Sequence, residues 1–132
     1  MQNLIEYYGL SPIEYQLMEF FWQNDRSFTF NEIMAYFSEK EGKIWKKQTL
    51  HTHLTHLIRK QALTGIMCGK GCKKYERSST KEEYIQQWTS DFLAKTFDGS
   101  VGAFVRAVTN DGRKLSQKDY EELKALLDEQ SS

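Results

Sequence analysis

Apolar residues recur at helical spacing through the first forty positions and predict two helices. Ser11 followed by Pro12 and Glu14 is typical of a helix start, because Ser11 can act as the N-cap while Glu14 completes a capping box. Turn-forming residues at 24–27 end this helix, and Thr29 or Asn31 can cap the next one. The two apolar stripes comprise Ile13, Leu17, Met18, Phe20, Phe21 and Trp22 in the first helix, and Ile33, Met34 and Phe37 in the second.

A third helix and a hairpin follow. The helix is expected from about Lys46 to Lys60, because four apolar residues recur on one helix face: Leu50, Leu54, Leu57 and Ile58. Two short runs at 63–68 and 73–77 flank Gly69-Lys70-Gly71, which is typical of a hairpin turn. The order helix, helix, helix, hairpin, with a basic tip on the hairpin, predicts a winged helix-turn-helix.

Three amphipathic helices are predicted beyond the hairpin. Thr80 is expected to open the first through a capping box, and Ser116 is expected to cap the third. The chain is therefore expected to be α+β and mostly α. It would divide into a winged-helix domain at residues 1–79 and an α-helical region at residues 80–132.

Charge is distributed unevenly, although the chain has no net charge. Residues 42–79 carry nine lysines and arginines against one acidic residue, Glu76, whereas both flanks are acidic. The outward face of the third helix has threonines, histidines and Arg59 but no carboxylate, while a merely solvated face normally mixes Glu with Lys. A basic surface can simply be solvated, but this pattern favours a polyanion as partner.

Other functional classes find little support in the sequence. No catalytic triad, carboxylate pair, HExxH motif or phosphate loop lies in a credible setting, so neither an enzyme nor a cofactor is expected. His51, His53 and His56 do not share one helix face, and no metal site is expected. For Cys68 and Cys72, reduced thiols without a role are favoured over a redox or soft-metal switch. The absence of a secretory signal and of a membrane-spanning run indicates a cytoplasmic protein with no membrane partner.

Five segments in register resemble the penicillinase repressor family over nearly the whole chain. They are LSPIEYQLMEFFW at 10–22, TFNEI at 29–33, IWKKQTLHTHLTHLIRKQAL at 44–63, KEEYIQQWTSDFLAKTFDGSVGAFV at 81–105 and LSQKDYEELKALL at 115–127. The resemblance implies a bacterial transcriptional repressor in which a winged helix-turn-helix is joined to an α-helical dimerisation region. Such repressors bind palindromic operators, often of antibiotic-resistance or copper-handling genes.

In such a repressor the third helix would lie in the major groove of a double-stranded DNA operator. Lysine can donate to guanine, and threonine can bond a base or contact a thymine methyl. Thr29 could bind a phosphate or serve only as an N-cap, while Arg59 and Lys60 would meet phosphate or solvent. The predicted DNA-binding residues are Thr29, Lys46, Lys47, Thr49, His51 and Thr52, together with Lys70, Lys73 and Lys74 of the wing, which would meet the backbone or minor groove.

The C-terminal helices can either fold back on the winged helix or bury their apolar faces against a second chain, and a homodimer is favoured. An isologous dimer would match a two-fold symmetric operator. The predicted dimerisation residues are Tyr84, Trp88, Phe92, Phe97, Phe104, Leu123, Leu126 and Leu127.

Two departures from the family's pattern bear on regulation. Members inactivated by a membrane sensor-protease carry an Asn-Phe cleavage pair where this chain has Ala107-Val108. The sequence therefore leaves open whether a sensor protease or another partner inactivates the repressor. Copper-responsive members end in a cysteine cluster, whereas this chain ends LLDEQSS, so that switch is not expected.

The alternative function is a winged-helix protein-interaction module without sequence-specific DNA binding, which would predict an acidic or apolar third-helix face.

Overall fold

The computed structural model of the protein describes residues 7–40, 42, 45–109 and 115–131. Those residues form six helices and three strands: α1 (Pro12–Gln23), β1 (Phe28–Thr29), α2 (Phe30–Lys40), α3 (Lys47–Arg59), β2 (Leu63–Met67), β3 (Lys73–Arg77), α4 (Lys81–Phe97), α5 (Val101–Thr109) and α6 (Gln117–Ser131). The chain divides into an N-terminal unit, Met1–Thr89, and a C-terminal unit, Ser90–Ser132, with the boundary inside α4. The α+β, mostly α architecture is confirmed, whereas the domain division after residue 79 stays a prediction. No helix within the described ranges combines the length and apolarity that a membrane span requires.

Local side-chain caps stand at the start of five of the six helices that the structure describes. Ser11 and Glu14 form the expected capping box: Ser11 Oγ accepts from the Glu14 N–H at 3.1 Å, and Glu14 Oε1 accepts from the Ser11 N–H at 2.8 Å. Thr29 and Glu32 make the same reciprocal pair before α2, so Thr29 is the cap, whereas Asn31 lies inside the helix. Hydroxyl groups also accept a backbone N–H at the start of the three later helices: Thr80, Ser100 and Ser116.

The N-terminal unit encloses an apolar core between α1, α2, α3 and the sheet. Leu17, Leu50 and Leu54 are fully buried in it. Trp45 lies half-buried against this core, with its ring 5.1 Å from that of Phe37, and so anchors the segment just before α3. The apolar periodicity of the first three helices therefore marks the faces that meet in one core.

The sheet joins the wing, residues 63–77, to the start of α2. Its strand order is β1-β3-β2, with both pairs antiparallel. Arg77 of β3 is part of this framework, because its guanidinium donates to the carbonyl of Trp22 at 3.1 Å and pairs with Asp25 at 3.2 Å. The wing is thus a continuation of the core and not a free-standing hairpin.

The tip of the wing departs from expectation. Cys68 and Cys72 form a disulfide with a Cα–Cα distance of 5.3 Å, so the expectation of two reduced thiols is wrong for this structure. The hairpin turn brings the two residues together, since the Cys68 N–H donates to the Cys72 carbonyl at 3.1 Å. The antiparallel turn therefore sets the short separation that a disulfide requires.

The first turns of α4 pack within the N-terminal unit. The Tyr84 hydroxyl donates to the carbonyl of Tyr8 at 3.0 Å. The Trp88 ring lies so close to Gly9 that a Cβ there would stand 2.8 Å from the indole nitrogen. Burial raises the pKa of Tyr84 to about 12, so this phenol stays neutral. Tyr84 and Trp88, both predicted at a dimer interface, thus contact the winged helix of their own chain.

The described residues of the C-terminal unit enclose no core. None of its described residues is buried. Phe92, Phe97 and Phe104 form a row of edge-to-face contacts, with ring centres 5.9 Å and 5.6 Å apart along it. An apolar groove between α5 and α6 is lined by Phe104, Val105, Val108, Leu115, Asp119, Glu122, Leu123 and Leu126. The predicted helical stripes are therefore present but only partly covered.

Candidate nucleic-acid interface

The outward face of α3 is exposed from its first residue. Lys46 is the N-cap, and its side chain makes no capping bond. Lys47, Gln48 and Thr49 are exposed, and no acidic residue stands in the first turn. An opening turn of this kind presents positive charge and hydrogen-bonding groups without a carboxylate to repel a phosphate. This is the surface that the sequence predicts for α3.

Thr52 is held in a defined orientation on this face. Its hydroxyl donates to the carbonyl of Gln48 at 2.9 Å, and Thr55 bonds the carbonyl of His51 in the same way. A hydroxyl that donates to its own helix keeps lone pairs that can accept from a base amino group. Thr52 can therefore offer an acceptor and a methyl group, which are the two features that read adenine, cytosine or thymine edges.

The three histidines of α3 have different surroundings. His51 is exposed beside Thr52. His53 is half-buried with its ring 6.3 Å from Trp45, and burial lowers its pKa, so it is neutral near pH 7. His56 Nδ1 lies 3.7 Å from a carboxylate oxygen of Glu14. Of the three, His51 has the position that suits a DNA contact.

The far end of α3 is tied to the start of α1 by a buried carboxylate. Lys60 Nζ donates to Glu14 Oε1 at 2.6 Å and to the carbonyl of Gly9 at 3.0 Å. Burial acts to raise the pKa of Glu14, but hydrogen bonds from Lys60 and from the Ser11 backbone outweigh it and lower the pKa. Lys60 therefore links two helices while its side chain stays 39% exposed, so it meets solvent, as one of the two expectations had it, and also forms an ion pair that the sequence did not predict.

Lys73 and Lys74 project from opposite faces of the wing, because successive strand residues alternate. Lys73 Nζ lies 5.2 Å from the ring centre of Tyr75. A Cβ on Gly65 would lie 2.9 Å from Lys73 Cε and 3.3 Å from Cδ1 of Ile58, so Lys73 runs beside α3. Lys74 is half-buried in the strand that pairs with β1. The two lysines, grouped together in the prediction, therefore belong to different sides of the wing.

Thr29 has the capping role that was one of its two predicted uses. Its N–H donates to Glu32 Oε1 at 2.8 Å, and its hydroxyl accepts from the Glu32 N–H at 3.2 Å. The backbone hydrogen bond from Thr29 is the main cause that lowers the pKa of Glu32. A phosphate contact at Thr29, which stays a prediction, would lie next to this ionised carboxylate.

Gln48 is a candidate that the sequence reasoning missed. It is exposed in the first turn of α3, immediately before Thr49. Glutamine can bond an adenine through both its amide oxygen and its amide nitrogen. Its position in the first turn of the third helix could have indicated a DNA contact, but only lysine, threonine and histidine residues of this helix were predicted to make one.

The lysines predicted to face DNA are mostly exposed. Lys46, Lys47, Lys70 and Lys73 are exposed, Lys74 is half-buried, and none of them forms an ion pair with another described residue. The structure therefore places uncompensated positive charge at the start of α3 and on the wing, within one compact unit.

One family model and two solved structures are similar to this chain. A family model described as penicillinase repressor matches residues 10–129. The solution structure of the DNA-binding domain of the repressor BlaI is 26% identical, has a TM-score of 0.49, and is matched over 64% of this chain and 95% of that chain. The complex structure of hsRosR-S1 has a TM-score of 0.52 at 14% identity, over 81% of this chain and 95% of that chain, which is a likeness of fold alone. No curated protein matches. Since the family match spans residues 10–129, this chain belongs to the penicillinase repressor family of DNA-binding transcriptional repressors.

Proposed function

We propose that the protein is a cytoplasmic, sequence-specific repressor that binds a palindromic operator as a homodimer. The observation that carries the proposal is the exposed, carboxylate-free opening of α3 beside a wing with exposed lysines, within one compact unit. An exposed helix of this kind fits the major groove, while lysines outside it meet phosphates in a sequence-independent way.

Base readout would fall to the first two turns of α3. Thr49 and Thr52 are three positions apart and therefore share one face of the helix. Lys46 and Lys47 can donate to guanine, and His51 flanks the same turn. Lys70 and Lys73 would contact the DNA backbone. Lys74 and Thr29 are less suitably placed for a phosphate contact, because Lys74 is half-buried and Thr29 bonds the ionised carboxylate of Glu32.

Dimerisation would use the open apolar face of the C-terminal unit. Phe104 is 38% exposed, Leu126 54% and Leu127 67%. Together with the groove between α5 and α6, these side chains form a surface that a second copy can cover. Leu123, Phe92 and Phe97 support this surface from partly buried positions, whereas Tyr84 and Trp88 are engaged within their own chain.

The first experiment selects duplexes from a randomised pool and then titrates the protein against the selected and a random duplex. A two-fold symmetric consensus with half-sites about one helical turn apart is expected. The double variant Thr49→Ala/Thr52→Ala should bind the selected duplex about thirtyfold more weakly and leave binding to random DNA unchanged.

The matched control for that variant is Thr89→Ala/Thr96→Ala, which removes two exposed threonines of α4. An equal loss on both duplexes would contradict base readout by α3. Sedimentation equilibrium of the same samples should give twice the mass of the chain. No binding to any duplex at low salt would favour the protein-interaction module instead.

A further inference from the structure

The tip of the wing is closed by a disulfide that the proposed repressor function does not require. Cys68 is exposed and Cys72 is half-buried. Two backbone hydrogen bonds accompany the link, from the Cys68 N–H to the Cys72 carbonyl at 3.1 Å and from the Cys72 N–H to the Gly69 carbonyl at 3.2 Å. The bridge spans the turn that carries Lys70.

The turn within the bridge has few other restraints among the described residues. Gly69 and Gly71 have φ angles of +135° and +75°, and a Cβ added to either would meet nothing within 4 Å. Lys70 between them is exposed. Because glycine has the largest backbone freedom of any residue, a turn with two glycines that face open space gains order from the bridge.

We propose that Cys68–Cys72 is a reversible redox modification site at which a dithiol reductant opens the bridge and so weakens DNA binding. The inference rests on the proposed DNA contact of the wing. In the oxidised protein, the disulfide holds Lys70 in position to contact a phosphate. In the reduced protein, the tip has to become ordered each time the protein binds DNA.

The chemistry is balanced thiol–disulfide exchange. A thiolate of the reductant attacks the Sγ of exposed Cys68, the bond between the two cysteine sulfurs breaks, and Cys72 leaves as a thiolate that takes a proton from water. The second thiol of the reductant then displaces Cys68 from the mixed disulfide, and the reductant ends as its own disulfide. The reverse reaction, with a disulfide as oxidant, closes the bridge again.

The surroundings favour this exchange. Lys70 lies between the two cysteines in sequence, and Lys73 follows Cys72 directly. Neighbouring positive charge stabilises a leaving or attacking thiolate. The chain contains two cysteines in total, so a count of free thiols reports on this bridge alone.

The test compares oxidised protein with protein reduced by dithiothreitol, on a random duplex and on the selected duplex. Ordering the backbone of about one residue corresponds to roughly a tenfold change in affinity. The loss is limited to the Lys70 contact itself, so the reduced protein should bind both duplexes up to about fivefold more weakly, with a salt slope lower by up to about one. Mass spectrometry after alkylation gives the thiol count of each sample.

Two variants separate the bridge from other effects of reductant. The Cys68→Ser/Cys72→Ser variant should bind like the reduced protein and ignore dithiothreitol, and Lys70→Ala should lose most of the redox response. Equal affinities of oxidised and reduced protein, with alkylation showing that the bridge had opened, would overturn this inference alone. Free thiols after oxidation would overturn it as well. If neither form binds any duplex at low salt, the proposed DNA binding fails and this inference fails with it.

Discussion

The two units of the chain treat their apolar side chains in opposite ways. In the N-terminal unit α1, α2 and α3 enclose theirs, so that Leu17 and Leu54 have no exposed surface. In the C-terminal unit no described residue is buried, and Val101 and Leu127 are 61% and 67% exposed. The N-terminal unit encloses a core, although Met67 of its wing is 67% exposed, whereas the described part of the C-terminal unit leaves most of its apolar side chains in contact with water.

This difference indicates what each open surface is suited to bind. The closed unit exposes the polar, carboxylate-free face of α3, which suits a polyanion and would be weakened by salt. The open unit exposes an apolar face, whose burial is favourable and insensitive to salt at moderate ionic strength. DNA binding and the proposed dimerisation are therefore expected to respond differently to ionic strength.

The largest effect is expected from a leucine in the closed core. Leu54→Ala should lower the free energy of unfolding by about 3 kcal/mol, because it leaves a cavity among fully buried neighbours. Thermal unfolding should show the same loss at every protein concentration. Leu127→Ala is the matched control, since it removes the same atoms from an exposed position. Its effect should grow with protein concentration, as expected for a residue that is buried by a partner.

Equal losses for Leu54→Ala and Leu127→Ala in dilute protein would contradict the comparison of the two units. Such a result would mean that the C-terminal unit has a core of its own in the single chain.

The elements that the sequence predicted are those with local signals. Caps such as Ser11, Thr80 and Ser116 act on backbone groups three residues away, and apolar periodicity lies within one helix. The two-residue strand β1 has no such signal, because alternation cannot be detected over two positions. Its pairing with β3 becomes visible only once the wing has folded.

The candidate site, too, was only partly predictable from the sequence. The exposed face of α3 follows from residue types and spacing, so Thr49 and Thr52 could be proposed. The ion pair of Lys60 could not be predicted, since its partner Glu14 lies 46 positions away and no local pattern connects them. The disulfide was judged from the expected redox compartment, which says nothing about the geometry of one turn.

The buried link between α1 and α3 provides a smaller effect, which depends on pH. The pKa of Glu14 is lower in the folded protein than its ordinary value. Its stabilising contribution is therefore complete above about pH 5 and is lost as the pH falls through the lowered pKa. Glu14→Gln should lower the free energy of unfolding near pH 7 by about 1 to 2 kcal/mol, because the ion pair with Lys60 becomes a hydrogen bond from the lysine ammonium to a neutral amide oxygen.

Denaturant titrations at a series of pH values check this expectation. The difference between wild type and Glu14→Gln should shrink toward acid pH, whereas Glu39→Gln, at an exposed position in α2, should show little difference at any pH. A constant difference from neutral to acid pH would show that packing, and not the charge of Glu14, holds α1 to α3.

The smallest effect tests the division of labour between the two open surfaces directly. Lys70→Ala should weaken binding to selected and random duplexes by the same factor, about 1 kcal/mol or less, and lower the slope of log affinity against log salt by about one. Dimerisation, measured by sedimentation at the same salt concentrations, should not change, because the C-terminal unit contains the apolar surface. Lys95→Ala, which removes an exposed lysine of α4, is the matched control and should leave the slope unchanged. An unchanged slope for Lys70→Ala would remove Lys70 from the phosphate contacts and leave the salt dependence to α3 and the other lysines of the wing.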